Sequence, residues 1–298
     1  MAQYSIAEEY TLPSLGKVYS QNVTPTVKIR SMTTVEEMKR LAPSEKDYKN
    51  ICEIIDDCLV EDPGISSYDM CLADYQFLLH KMRVVTYGTK YPIVTKCPFC
   101  YSEHEETIDL NDIKVTPYTE DNFTKLTEFT LPKTGKHIKI KMQTPRMIDD
   151  VNARAKEIKK KSKGAAGDTA FLFTVQSLID TVDGEQLDPI KKEDFVRALP
   201  MMDTNYIIKH AEKLVESFGL ENSIQNTCPT CGLDYTSSFR ITSEFFGPSI
   251  DIWWGIICPK KIWTNNWGKI SDFKTYTYIL WGDRKYNSNR AYVFITLH

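Results

Sequence analysis

Two short cysteine pairs, Cys97-Pro98-Phe99-Cys100 and Cys228-Pro229-Thr230-Cys231, are the residues of this chain best suited to chemistry, and residues 101 to 227 separate them. A two-residue spacer lets one tight turn aim two sulfurs at the same ion, and Zn²⁺ takes four thiolates tetrahedrally. Cys97, Cys100, Cys228 and Cys231 are therefore the expected ligands of one structural zinc ion. Extended-looking segments flank both pairs: Tyr91 to Thr95 and Thr107 to Leu110 around the first, Ser223-Ile224 and Tyr235 to Ile241 around the second. The pattern predicts a zinc ribbon split by a long insertion.

The length of the gap does not oppose this reading. Loop closure costs about 0.6 kcal/mol per doubling, so three doublings cost roughly 2 kcal/mol, whereas structural zinc contributes an apparent ~10 kcal/mol or more. The intervening residues are expected to be a folded insertion with its ends held together by the two knuckles. Cys-Pro-Phe-Cys also resembles the glutaredoxin active-site motif, in which a helix N-terminus stabilises the first thiolate. No apolar helical stripe begins at either pair here, which disfavours the redox reading. His104, the one histidine near a pair, could replace a thiolate, but four cysteines already complete the shell and it reads as a surface residue of the knuckle. Four thiolates leave no open metal position, an argument for structure over hydrolysis. Cys52, Cys58, Cys71 and Cys258 show no partner spacing and read as packing residues or idle thiols.

No other residues assemble into a catalytic constellation. There is no Walker lysine loop, dinucleotide glycine fingerprint or nucleophile elbow, and His80, His104, His137, His210 and His298 are scattered along the chain. A non-enzyme is expected. The net charge of −3 over 298 residues offers no global attraction to nucleic acid or anionic lipid. The local run Lys156, Lys159, Lys160, Lys161 and Lys163 reads first as a solvated helix end favoured by the macrodipole. Its neighbours are glycine and alanine, with no aromatic platform for bases. A nucleic-acid-binding zinc ribbon is thus the second reading and a thiol oxidoreductase the third. The N-terminus lacks a secretory pattern, and the longest nearly apolar run, Ile252 to Cys258, is too short to span a bilayer. A soluble protein of a reducing compartment is expected.

The elements that must position the cysteines read as α+β, with a helical N-terminal region and a split four-cysteine module around a large, mostly helical insertion. Residues 1–30 read as an extended arm ending in the alternating Val27 to Arg30. Residues 31–112 carry helices and the first knuckle. There Thr34 with Glu37 gives a capping-box pattern and Ser44 with Asp47 a second N-cap. Ile51, Ile54, Ile55, Cys58 and Leu59 share one helical face, and Ser67 to Val84 predicts a third helix. Residues 113–222 form the insertion. Leu126 to Leu131 and His137 to Met142 flank a hairpin turn, and Thr144-Pro145 opens a helix to about Lys161. Further helices are expected over Thr169 to Asp180, Lys191 to Leu199 and Asp203 to Phe218, the last with Gly219 as C-cap. Residues 223–248 hold the second knuckle. Residues 249–298 contain all five tryptophans, Trp253, Trp254, Trp263, Trp267 and Trp281, and no glutamate. They read either as an aromatic docking tail or as a sequence of separate origin, such as an appended alternative reading frame.

Leu12 to Tyr19, Ile29 to Glu37, Asp74 to Leu79 and Arg83 to Gly88, with both cysteine pairs and the closing Ser243-Glu244-Phe245-Phe246, resemble the baseplate hub assembly proteins of T-even-like contractile-tailed bacteriophages. The similarity runs from about residue 12 to 248 and joins several separate segments. It implies a non-enzymatic role in building the central hub of the phage tail, through contacts with other tail or hub proteins. It also implies a location in the host cytoplasm during assembly, and in the virion baseplate if the protein is retained. The resemblance covers both a retained component and a chaperone that departs, and it has no counterpart for Ser249 to His298.

Overall fold

The structure, a computed structural model, describes residues 6–162, 169–221, 223–238 and 245, together with the backbone at 277–280 and 293–296. The chain divides into two units, Met1–Ser249 and Ile250–His298. In the second, an antiparallel pair of strands is described, Thr277–Leu280 against Val293–Thr296. All five tryptophans lie outside the described residues, as do Lys163 and Cys258.

In the first unit the class is the mixed α+β expected. Strands β1 (Ala7–Thr11) and β2 (Thr26–Arg30) pair antiparallel, with Glu9 opposite Lys28. The alternation in β2 turns Val27 and Ile29 inward against helices α2 (Asp47–Cys58) and α3 (Leu72–Tyr87). The segment expected to be an extended arm is therefore a hairpin, and the loop joining its strands is anchored on α3. Leu12 is fully buried. The buried Asp74 carboxylate accepts the Ser14 backbone N–H at 3.0 Å, the Ser14 hydroxyl, and the Tyr19 hydroxyl at 2.7 Å. Burial raises the Asp74 pKa, and the hydroxyl and N–H donors from Ser14 and Tyr19 oppose that rise.

Two helix starts differ from expectation. Helix α1 (Thr34–Leu41) is capped one residue earlier than the Thr34/Glu37 pattern, by Thr33 with Glu36. Glu36 is selected because it also reaches Arg30 on β2 at 2.8 Å. Ser44 does not cap α2; its hydroxyl donates to the Lys46 carbonyl. The orphan N–H groups of α2 are satisfied from a distance, by Asp149, which accepts from Lys49 at 3.0 Å and also from the Tyr68 hydroxyl at 3.1 Å. Asp149 belongs to α5 (Pro145–Lys161), which starts where Thr144-Pro145 places it.

After α3 ends at Gly88, strands β3 (Lys90–Lys96) and β4 (Glu103–Asp109) form the hairpin of the first knuckle. The excursion that follows has a narrow neck, β5 (Val115–Thr116) paired with β9 (Gly219–Leu220). Inside it, α4 (Glu120–Thr127) leads into β6 (Glu128–Thr130), β7 (His137–Ile140) and, after α5 and α6 (Thr169–Leu178), β8 (Ile179–Val182), a three-stranded sheet in the order β6-β7-β8. Neither α4 nor β8 was expected. The segment Ile179-Asp180-Thr181-Val182, partly assigned to a helix from sequence, is β-branched at three positions and supplies the third strand. Helices α7 (Pro189–Ala198) and α8 (Met201–Glu216) complete the excursion. Asp203 in α8, fully buried, accepts the Lys133 and Thr134 N–H groups at 2.9 Å each and so fixes the β6–β7 turn. Strands β10 (Ser223–Thr227) and β11 (Asp234–Ser238) then form the second knuckle's hairpin.

Helix α3 belongs to two cores. Leu78, Leu79 and Met82 pack with β2 and α2, while Cys71 and Ala73 pack with Phe129, Ile138, Ile140, Ile207 and Leu214 of the excursion. Gly219 seals this second contact. It is not the C-cap of α8, which is Ser217. Its φ is +108°, and a Cβ there would lie 3.0 Å from the Ala73 Cβ, so both conformation and space require glycine.

Candidate metal centre

The two knuckles are built on the same backbone plan. In the first, the Cys97 N–H donates to the Ser102 carbonyl at 3.0 Å and the Tyr101 N–H donates back to the Cys97 carbonyl at 3.0 Å. In the second, the Cys228 N–H donates to Leu233 at 3.0 Å and Gly232 donates to Cys228 at 2.8 Å. The residue after the second cysteine takes a left-handed conformation in both, Tyr101 at φ 60° and Gly232 at φ 71°. This turn lets a two-residue spacer present both sulfurs to one point.

All four predicted cysteines come together, their sulfurs lying within 4.8 Å of one another. Cys97 Sγ is 3.7 Å from Cys231 Sγ, and Cys100 Sγ is 3.5 Å from Cys228 Sγ. A tetrahedron with Zn–S bonds of about 2.3 Å has S···S edges of roughly 3.8 Å, so these separations fit a four-thiolate ion, and they are far beyond a disulfide bond of ~2.05 Å. Cys97 and Cys228 are buried, whereas Cys100 and Cys231 are exposed.

The surroundings favour the thiolate at Cys228 and Cys100. Burial alone would push the Cys228 thiol up, but the N–H groups of Cys231 and Thr230 and the Ser102 hydroxyl hold it at about 5. Hydrogen bonds from Ser102 lower Cys100 as well. Cys231 is raised to about 12: the Leu233 N–H pulls it down, and burial and the other three sulfurs outweigh that donor. A divalent cation at the centre would remove that mutual repulsion.

The neighbours of the sulfurs are Ser102, which the cysteine pattern did not single out, and His104, weighed from sequence as a replacement for a thiolate. The Ser102 hydroxyl lies 2.8 Å from Cys100 Sγ and 2.7 Å from His104 Nε2, which is itself 3.4 Å from Cys228 Sγ. His104, read from sequence as a surface residue of the knuckle, is half-buried beside the sulfurs. Part of the signal was present, because Ser102 and His104 are two positions apart around the start of β4 and alternate residues share one face of an extended chain.

Three features tie the hairpins together and to α3. Thr95 Oγ1 and the Tyr235 hydroxyl, both buried, meet at 2.8 Å. The Asn226 amide accepts from the Ser237 hydroxyl at 2.7 Å and donates to Glu106 at 3.2 Å in the orientation that satisfies both ends. Beneath them Leu110 and Phe245 are buried among Val84, Tyr91, Ile93, Ile108, Ile113 and Ile224. The Phe245 ring centroid is 4.9 Å from that of Tyr91 and stacks on His80 at 6.3 Å. The Arg83 guanidinium lies 4.9 Å from the Tyr87 and Tyr91 ring centroids and 5.4 Å from that of Phe245. His80 Nε2 meets the Leu110 carbonyl at 3.0 Å, so that nitrogen carries the proton. Burial pushes the His80 pKa down to about 4.

A family model described as T4 bacteriophage base plate protein matches residues 3–247. The chain belongs to this family. Searches of the curated proteins and of the solved structures returned no match. Both cysteine pairs of this base plate protein, and Phe245, fall within the matched span. No helix among its described residues is long and apolar enough to cross a membrane. Lys159, Lys160 and Lys161 occupy the last turn of α5, as expected of cations at a helix C-terminus, and Lys161 pairs with Glu157 at 2.6 Å.

Proposed function

We propose that this base plate protein is a non-enzymatic assembly component of the tail baseplate hub, stapled by one structural zinc ion and acting through contacts with other tail proteins. The observation that carries the reading is the convergence of Cys97, Cys100, Cys228 and Cys231 from two equally built knuckles, within a chain of base plate family. Bound there, zinc would supply cross-linking energy and no reaction, because four thiolates fill its shell. The protein's own residues do the rest. Backbone N–H groups and Ser102 favour the thiolate at Cys228 and Cys100, Thr95 and Tyr235 set the angle between the hairpins, and Phe245 fastens them to α3. The neck strands β5 and β9 are only two residues each, so the metal would add a restraint on the ends of the excursion to the one that its packing against α3 supplies. Synthesis and assembly in the host cytoplasm suit the site, since reducing conditions keep the thiols available to metal.

The test is recovery of the tagged chain from infected cells. Hub proteins should accompany the parent, and Cys228→Ser should reduce both their recovery and the zinc content. Recovery of the parent without tail proteins would refute the assembly role.

A further inference from the structure

We infer that the outer tips of the two knuckles form a docking surface for a basic, apolar-pocketed face of another tail protein, with Phe99 and Tyr101 as the anchors. The inference rests on the proposed assembly role and adds the surface and the chemistry of its partner. Large apolar side chains beside the cysteines stay in solvent: Phe99 is 57% exposed, Tyr101 71% and Leu233 49%, with Val94 at 68% further along β3. Single exposed apolar residues are ordinary, but a cluster with aromatic members on one small module marks an interaction site.

The backbone supplies an independent argument. Tyr101 adopts φ 60° at the position where the sister knuckle uses Gly232 at φ 71°. The turn needs only a left-handed residue there, and the Cβ position of Gly232 has nothing within 4 Å. A side chain kept in a strained conformation while mostly exposed contributes little inside the protein. A tyrosine in that conformation points outward, to something it contacts.

Charge selects the partner. Toward their tips the hairpins carry Glu103, Glu105 and Asp234 against Lys96, and four thiolates around one Zn²⁺ would add two further negative charges. Such a surface repels nucleic acid, and a second copy would set like charge against like. A positively charged protein face with pockets for two aromatic rings complements it.

The experiment uses the zinc-loaded full chain and the individually purified baseplate proteins of the same phage, with binding measured at low and high salt. The parent should bind a basic member, more weakly as salt rises. Phe99→Ser and Tyr101→Gly should each weaken that binding, together by at least about 30-fold, with zinc content and melting temperature unchanged. Tyr101→Gly copies the sister knuckle and retains the fold, so it decides the matter alone if Phe99→Ser loses metal. Val35→Ser/Met38→Ser, on the exposed face of α1, should leave affinity unaltered. Equal binding by parent and knuckle variants would overturn this surface while leaving the assembly role standing. Failure of the parent to bind any baseplate protein would overturn both. Self-association, or binding to a generic DNA duplex, that the knuckle variants abolish would overturn the partner assignment.

Discussion

His80 should make the stability of this base plate protein sensitive to mild acid. The ring is fully buried against Phe245, and its Nε2–H is committed to the Leu110 carbonyl. Among the described residues its Nδ1 has no hydrogen-bond partner, so protonation would place an uncompensated charge where α3 meets the root of the β3–β4 hairpin. Burial lowers the pKa from 6.5 to about 4. A base held neutral in the fold binds its proton first in the unfolded chain. Its contribution is therefore fully present above about pH 6.5 and is lost as the pH falls toward 4. A shift of this size corresponds to about 3 kcal/mol. The comparison is urea unfolding of parent and His80→Gln across pH 4 to 7.5. Gln retains an N–H donor but does not titrate, and the shared carboxylates cancel in the difference. The parent should lose about 3 kcal/mol more than the variant between pH 7 and 4. Curves that stay parallel to within ~0.5 kcal/mol would show that burial does not hold His80 neutral.

Asp203→Asn should destabilise the protein by about 1–3 kcal/mol at pH 7, because an amide cannot accept both turn N–H groups. The donors hold the native carboxyl below its usual range against the opposing effect of burial, so its stabilisation is present above about pH 4 and fades as the pH drops further; unfolding of both proteins at pH 7 and pH 3 would show the gap narrow. Gly219→Ala should cost roughly 2–4 kcal/mol from the positive φ and the Ala73 contact, measured by thermal melting, whereas Gly232→Ala, in open space, should cost only about 1 kcal/mol.

Most local signals could be read from the sequence and distant ones could not; the α1 cap is the local exception, because Thr33 with Glu36 and Thr34 with Glu37 fit one pattern and only Arg30 on β2 separates them. The knuckles could be read because a two-residue spacer and its turn are complete within a few positions. The start of α5 could be read because Thr144 and Pro145 carry both the cap and the first helical residue. Helix α2 could not be started correctly, since its cap is Asp149, 100 positions from Lys49. The same holds for the turn held by Asp203, and for the loop from Leu12 to Tyr19, whose fold is set by Asp74. Strand β8 was hidden because four residues at a helix end carry no period, and its β-branched side chains find their role only beside β7. Gly219 resembled a C-cap by position, but its true constraint is the approach of Ala73 from α3.

Four remote sulfurs on one metal ion would join the two hairpins between which the excursion departs and returns. Native mass spectrometry of the full chain, before and after Cys228→Ser, reads this at the site itself. One zinc per parent chain is expected, with its loss in the variant and a lower melting temperature for the variant and for the chelator-treated parent. A parent that carries no zinc when purified under reducing conditions with the metal supplied, or a variant equal to it in metal content and melting temperature, would rule out the metal staple.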